Sequence, residues 1–165
     1  MLAESNVLLI RHAEKPEQGK GLSPMGEARA EGYAAYFPKL PLARPWYSHL
    51  FAAEDSHESH RPKLTLEPLS HRIGVEIEMP YADKDYGPFA KWLLGQTTNF
   101  KTQNIIICWH HGEILQLATC LLDGFVPGEK ADWPEPPWPP DVFGWLLWIV
   151  YDENGDPTTD TRCYR

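Results

Sequence analysis

The sequence is short of cysteine and of positive charge. Its 165 residues include only three cysteines, Cys108, Cys120 and Cys163, and no two of them have the CxxC spacing of metal and redox motifs. We therefore expect neither a disulfide framework nor a structural zinc site. Lys and Arg number 15 against 23 Asp and Glu, which gives a net charge of −8. Nucleic-acid binding needs clustered cations, so we expect no nucleic-acid partner.

Long apolar runs are also missing. The longest uncharged apolar stretch, residues 142–151, is much shorter than the roughly 20 residues of a membrane-spanning helix. The first residues, Met-Leu-Ala-Glu-Ser-Asn, lack the basic and apolar segments of a secretory signal. These features predict a cytoplasmic protein that does not enter a membrane.

Short apolar runs alternate with helical patterns along the chain. The pattern predicts strands at residues 6–10, 47–53, 75–79, 105–109 and 143–151. It predicts helices at residues 24–37, 61–70, 85–94 and 113–122, with Ser23 as the N-cap of the first. This alternation is typical of an α/β fold with a mostly parallel sheet, and the length fits one domain over residues 1–165.

Two segments near the end of the chain are expected to lack helix. Residues 127–140 contain six prolines with Trp133 and Trp138, and proline cannot donate a backbone hydrogen bond. We predict an ordered loop in which the two tryptophans either pack as a small core or wall a pocket. Asn154-Gly155 predicts a turn after the last strand.

Histidines directly follow both of the most apolar predicted strands. His12 follows Ile10-Arg11, and His110 and His111 follow Trp109. Because ligands of α/β sheets bind beyond the carboxyl ends of the strands, these side chains fall where a site is expected. Arg11 and Arg61 would add positive charge to an acidic protein, and a guanidinium offers paired donors to phosphate or carboxylate.

Four segments together resemble a known superfamily. Residues 11–15, Arg-His-Ala-Glu-Lys, resemble the RHG/RHA motif of the histidine phosphatase superfamily, also called phosphoglycerate mutase-like. Residues 21–26, Gly-Leu-Ser-Pro-Met-Gly, are similar to its GLTxxG segment, and residues 61–65 are similar to its RAxxTA segment. Residues 105–112 resemble the strand that ends in SHG. The segments occur in the superfamily's order, over residues 6 to 118.

The resemblance implies a three-layer α/β/α sandwich and a phosphatase of the small type. It implies that His12 attacks phosphorus and becomes phosphohistidine, while Arg11, Arg61 and His111 bind the phosphoryl oxygens. It implies no metal and no other cofactor, because the arginines supply the positive charge. The substrate class is a small phosphorylated molecule or a phosphoprotein, and we expect the pocket to accept a phosphate or sulfate ion.

The sequence departs from the superfamily's pattern at the proton donor and around it. No glutamate aligns with the usual acid after the third strand, so Asp83 or Asp85 is the candidate acid. His110 stands where the superfamily has a small residue, and it either forms the pocket wall or contacts phosphate. Ser59 either lies by the phosphate or caps the following helix. Lys15 is either a rim contact or solvated.

Two other functions fit the same residues. A mutase would return the phosphoryl group to a bound acceptor, and a scaffold protein would bind phosphate without turnover. The short chain lacks room for the large insertions of mutases, which favours a phosphatase with an open site. The sequence predicts neither the identity of the substrate nor the oligomeric state.

Overall fold

Six strands and four helices form the protein in a computed structural model, which describes residues 1–44, 46–95 and 99–165. The strands are β1 (Asn6–Arg11), β2 (His49–Ala52), β3 (Ile77–Glu78), β4 (Asn104–Trp109), β5 (Leu146–Val150) and β6 (Arg162–Tyr164). The helices are α1 (Pro24–Tyr36), α2 (Arg61–Ile73), α3 (Tyr86–Leu94) and α4 (Ile114–Leu122).

The strands form one sheet in the order β3-β2-β4-β1-β5-β6. β1, β2, β3 and β4 are parallel, whereas β5 pairs antiparallel with β1 and β6 antiparallel with β5. The register sets Arg11 opposite Trp109, so β1 and β4 end side by side. The prediction of a mostly parallel sheet is confirmed, and its topology brings both histidine-bearing strand ends to one edge.

Helices cover both faces of this sheet. Leu8 and Ile10 of β1 pack in a core with residues of α1 and α2, while Val7 and Leu9 pack on the other face with α3 and α4. All four side chains are at most 1% exposed. Strands buried on both faces are continuously apolar, which explains the uninterrupted run of β1. The three-layer arrangement is therefore confirmed.

The ends of the elements follow local chemistry, but α2, β3 and β6 depart from expectation. The Ser23 hydroxyl accepts a hydrogen bond from the Gly26 amide at 3.1 Å, as predicted for the N-cap of α1. α2 continues past residue 70 to Gly74, whose φ of +70° ends the helix in the left-handed region. β3 has only two residues instead of residues 75–79, and β6 was not predicted.

The proline-rich segment, residues 127–140, contains no strand, and its only helical part is a short 3-10 turn at Glu129–Ala131. Trp138 is 3% exposed and packs against Trp145, with ring centroids 5.2 Å apart. Among the described residues no helix is long and apolar enough to cross a membrane. The same residues contain no group of three or more His, Cys, Asp or Glu side chains placed to hold a metal ion.

Candidate active site

A cavity of about 550 Å³ lies at the carboxyl ends of β1 and β4. We call it the histidine cavity. It brings together His12 and His110-His111 from the two strand ends and Arg61 from the start of α2. Its full lining is Arg11, His12, Lys15, Arg61, Asp83, Lys84, His110, His111, Gly112, Glu113, Pro140, Asp141 and Phe143.

The His12 ring is held neutral and in one tautomer. Its imidazole Nδ1 lies 2.7 Å from the Ala13 carbonyl oxygen, which fixes the proton on Nδ1 and leaves the lone pair on Nε2. The residue is only 4% exposed. Burial, with smaller effects from the positive charge of Arg11 and Arg61, lowers the pKa of His12 to about 3. The ring is therefore neutral at physiological pH.

Arg11 is anchored through one end of its guanidinium. Nη1 donates to the carbonyl oxygens of Pro140 at 2.6 Å, Val142 at 2.9 Å and Pro139 at 3.4 Å. The guanidinium carbon lies 3.8 Å from the centroid of the Phe143 ring. Burial lowers the pKa of Arg11 to about 10, so the group still carries a full charge at neutral pH. The backbone carbonyl groups of residues 139–142 thus fix the Arg11 guanidinium.

The Nε atoms of both arginines are buried without a hydrogen-bond partner among the described residues. Arg61 uses its other nitrogens, because Nη1 donates to the Gly19 carbonyl at 3.2 Å and Nη2 to the Glu58 carbonyl at 3.4 Å. A buried donor without an acceptor costs about 1–3 kcal/mol. An anion in the histidine cavity would supply the missing acceptors, and phosphate has enough oxygens for two guanidinium groups.

Thr65 connects the two sides of the cavity. Its hydroxyl accepts a hydrogen bond from the Ala13 amide at 2.9 Å and donates to the Arg61 carbonyl at 2.7 Å. The side chain is completely buried. The residue after His12 and the first turn of α2 are therefore held at a fixed separation.

A pair of carboxyl groups forms another wall. Asp83 hydrogen-bonds to Glu113 through their side chains, and Lys84 forms an ion pair with Glu113. Burial, together with the neighbouring Glu113 carboxylate, raises the pKa of Asp83 to about 7. A group with this pKa is about half protonated near pH 7 and can donate a proton, as a general acid must. Trp109 Nε1 donates to the Asp83 carbonyl oxygen at 3.1 Å and fixes this turn beside β4.

The other predicted site residues divide into two groups. Lys15, His110 and His111 line the histidine cavity, and the rings of His110 and His12 are 5.0 Å apart. Ser59 does not line it, and its hydroxyl instead accepts a hydrogen bond from the Arg61 amide at 3.2 Å. Asp85 is exposed and also lies outside that lining, so the geometry favours Asp83 of the two candidate acids.

Ser59 lines an adjoining cavity of about 540 Å³, which we call the side cavity. It shares Arg61, Asp83, Lys84 and His110 with the histidine cavity. The Asp83 carboxyl group therefore lies between the two cavities.

Sequence reasoning missed Glu113 and Phe143. Glu113 directly follows His110-His111-Gly112, which is the one signal that placed it near the site. Phe143 stood at the start of a predicted strand, but β5 begins only at Leu146, and this leaves the ring free to stack under Arg11.

Comparison with solved structures identifies the fold. The protein histidine phosphatase SixA, solved with tungstate, superposes with a TM-score of 0.60 at 16% identity, over 93% of this chain and 92% of that one. Phosphoglycerate mutase from Plasmodium falciparum superposes with a TM-score of 0.61 at 12% identity, over 93% of this chain and 87% of that one. Phosphoserine phosphatase from Entamoeba histolytica superposes with a TM-score of 0.53 at 13% identity, over 93% of this chain and 94% of that one.

The chain has the fold of the histidine phosphatase superfamily. No protein-family model and no curated protein matches the sequence. Three of the four segments that carried the resemblance line the histidine cavity: the end of β1, the start of α2 and the end of β4. The fourth, at the start of α1, contacts the loop after β1, because the Ser23 amide donates to the Glu14 carbonyl at 2.9 Å.

Proposed function

We propose that the protein is a phosphatase that hydrolyses phosphate monoesters through a phosphohistidine on His12. The observation that carries the proposal is the neutral, buried imidazole of His12 in one cavity with two arginines whose Nε atoms have no acceptor in the described structure. A neutral ring supplies the lone pair, and the guanidinium groups stabilise the charge on the transferring phosphoryl group.

The reaction would take two steps. In the first, His12 Nε2 attacks phosphorus, the bond to the leaving oxygen breaks, and Asp83 gives that oxygen its proton. In the second, water attacks phosphorus, the bond from Nε2 to phosphorus breaks, and the Asp83 carboxylate takes the proton of the water. Arg11, Arg61 and His111 would bind the phosphoryl oxygens in both steps, while His110 and Lys15 line the cavity around them.

The size and position of the cavities support a small phosphorylated molecule or a phosphorylated side chain as substrate. We further propose that residues 1–165 act as one phosphatase domain, since all four helices pack on one sheet. Cys108, Cys120 and Cys163 are all free thiols, which fits a cytoplasmic location.

Hydrolysis of p-nitrophenyl phosphate in EDTA tests the role of His12. We expect His12→Ala to lower kcat at least about a thousandfold, as removal of other nucleophiles does. The matched control is His71→Ala, because His71 is exposed on α2 and lies outside the histidine cavity. Wild type should also form a phosphoenzyme that acid hydrolyses and alkali does not.

Each remaining outcome contradicts a part of the proposal. Equal rates for wild type and His12→Ala would exclude His12 as the nucleophile. Phosphate binding without turnover in a folded protein would indicate a scaffold, and transfer to an added diol in preference to water would indicate a mutase.

A further inference from the structure

Three ionisable side chains, Asp83, Lys84 and Glu113, line the histidine cavity, and the first two also line the side cavity. The Glu113 side chain is only 12% exposed, and it contacts the Lys84 ammonium on one side and the Asp83 carboxyl group on the other. Two carboxyl groups in hydrogen-bond contact cannot both be ionised without strong repulsion, so they share one proton.

The surroundings decide which carboxyl group carries that proton. Lys84 pairs with Glu113, so the negative charge is stabilised there. Asp83 Oδ1 is buried and has no hydrogen-bond partner among the described residues, which disfavours a negative charge on Asp83. Among the described residues, Arg61 from α2 and His110 after β4 also line both cavities. The side cavity is further lined by titratable side chains of the loop before α2: Glu54, Asp55, His57 and Glu58.

The backbone holds the two carboxyl groups in register with the histidines. Trp109, the last residue of β4, donates its indole proton to the Asp83 carbonyl oxygen, and its ring stacks on Phe89 of α3 with centroids 5.2 Å apart. Glu113 is tied to the same strand end, because its amide donates to the His110 carbonyl at 3.3 Å. The positions of Asp83 and Glu113 are therefore set by the end of the strand that His110 and His111 directly follow.

We propose that Glu113 and Lys84 are positioning residues that keep the shared proton on Asp83 until the leaving oxygen takes it. The inference rests on the proposed phosphatase function and adds to it two residues that control the proton on Asp83. When Asp83 has given up its proton, two adjacent carboxylates remain. Their repulsion favours return of a proton to Asp83 from the attacking water of the second step.

Two esters of different leaving ability test the proposal. p-Nitrophenolate leaves without much help, whereas the alkoxide of glycerol 2-phosphate needs a proton donor. We expect Glu113→Gln to lower kcat for glycerol 2-phosphate at least about tenfold more than kcat for p-nitrophenyl phosphate, and Asp83→Asn to do so by a larger factor. The matched control is Glu4→Gln, which removes a carboxylate paired with Lys101 at 3.8 Å outside the site.

The pH profile for glycerol 2-phosphate separates positioning from a structural role. The rate should fall as Asp83 loses its proton, on the alkaline limb. Removing the like charge in Glu113→Gln lowers the pKa of Asp83, so this limb should move to lower pH by about one unit. Lys84→Met removes an opposite charge and should move the limb to higher pH.

Equal losses on the two esters with an unmoved alkaline limb would overturn the inference and leave Glu113 a structural residue. This failure is distinct from failure of the phosphatase proposal, which is decided by His12→Ala on p-nitrophenyl phosphate alone. Circular dichroism and thermal unfolding of each variant identify any that does not fold. For such a variant Lys84→Met, whose side chain is 79% exposed, provides the decisive pH profile.

Discussion

The Thr65 hydroxyl group connects two parts of the candidate site. It is the acceptor for the Ala13 amide and the donor to the Arg61 carbonyl, and it is fully buried. The Ala13 carbonyl in turn fixes the His12 ring through Nδ1. A change at Thr65 therefore reaches the nucleophile through two hydrogen bonds.

Thr65→Val keeps the shape of the side chain and removes both hydrogen bonds. We expect the free energy of unfolding to fall by about 1–3 kcal/mol, because the Ala13 amide becomes a buried donor without an acceptor. Urea unfolding measures the change. Thr119→Val is the control, since Thr119 is exposed on α4 and its hydroxyl donates to the Leu115 carbonyl of the same helix. A loss for Thr65→Val no larger than for this control would show that the Ala13 amide finds another acceptor.

The sequence predicted the site residues whose position follows from the strand that precedes them. His12 and His111 follow apolar strands, and the rule that sites lie beyond strand ends predicts their place. Glu113 was not predicted as a site residue, because its place in the site depends on contact with Asp83, which lies 30 positions earlier in the sequence. No local pattern encodes such a contact.

Helix α1 approaches the loop after β1 more closely than a side chain would allow. A Cβ atom at Gly26 would lie 2.4 Å from the Glu14 carbonyl oxygen, and the Ser23 amide donates to that same oxygen at 2.9 Å. The Glu14 carboxylate also binds Arg29 of α1, at 2.7 Å. The loop that carries His12 is thus held directly against the first turn of α1.

Two alanine substitutions in α1 should have opposite effects on stability. Gly26→Ala forces the helix away from Glu14, and we expect a loss of about 1–3 kcal/mol in the free energy of unfolding. Gly32→Ala meets no atom within 4 Å and removes a flexible residue from a helix interior, so we expect a gain of about 0.5–1 kcal/mol. Urea unfolding of both variants decides the matter. A gain or no change for Gly26→Ala would mean that α1 shifts freely.

The sequence predicted the elements that have a strong apolar pattern and failed where the pattern is weak. β1, β4 and all four helices fall within a few residues of their predicted bounds. β3 pairs with β2 through only two residues, and β6 contributes three residues at the other sheet edge. Such edge strands depend on backbone hydrogen bonds to a neighbour more than on their own side chains.

The whole molecule carries a net charge of −8, yet it buries neutral histidines among cations. The pKa of His12 is lowered by burial to about 3 and that of His110, also by burial, to about 4, both from 6.5. An unfolded chain therefore binds protons on these residues more readily than the native protein does. Their contribution to stability is complete above about pH 6.5 and is lost as the pH falls toward the native pKa values.

Acid sensitivity of unfolding should depend on His12. We expect the free energy of unfolding of wild type to fall below about pH 6.5, and that of His12→Gln to fall less steeply, by up to about 1.4 kcal/mol per pH unit. The opposite linkage of Asp83, whose pKa is raised by burial to about 7, is common to both proteins. Urea unfolding between about pH 7 and 4 measures the two slopes. Parallel curves for the two proteins would mean that His12 protonates without cost in the native state.

At the scale of the molecule, the sequence indicated an acidic protein with one cationic pocket but not the role of the proline-rich segment. Packing of Trp138 agrees with the ordered loop expected for residues 127–140. The carbonyl groups of Pro139, Pro140 and Val142 hold Arg11, and every residue type has the same carbonyl. Composition therefore cannot reveal which of them a distant guanidinium will use.

The distance along the chain between Arg11 and its acceptors sets an order of events during synthesis on the ribosome. Every proposed catalytic group has been translated by residue 113, but the carbonyl groups that hold Arg11 come only at residues 139–142. β1 also remains an edge strand until β5 emerges and pairs with it. A nascent chain therefore contains every proposed catalytic residue well before the contacts that position Arg11 can form. The free edge of β1 can pair with other strands until β5 has emerged.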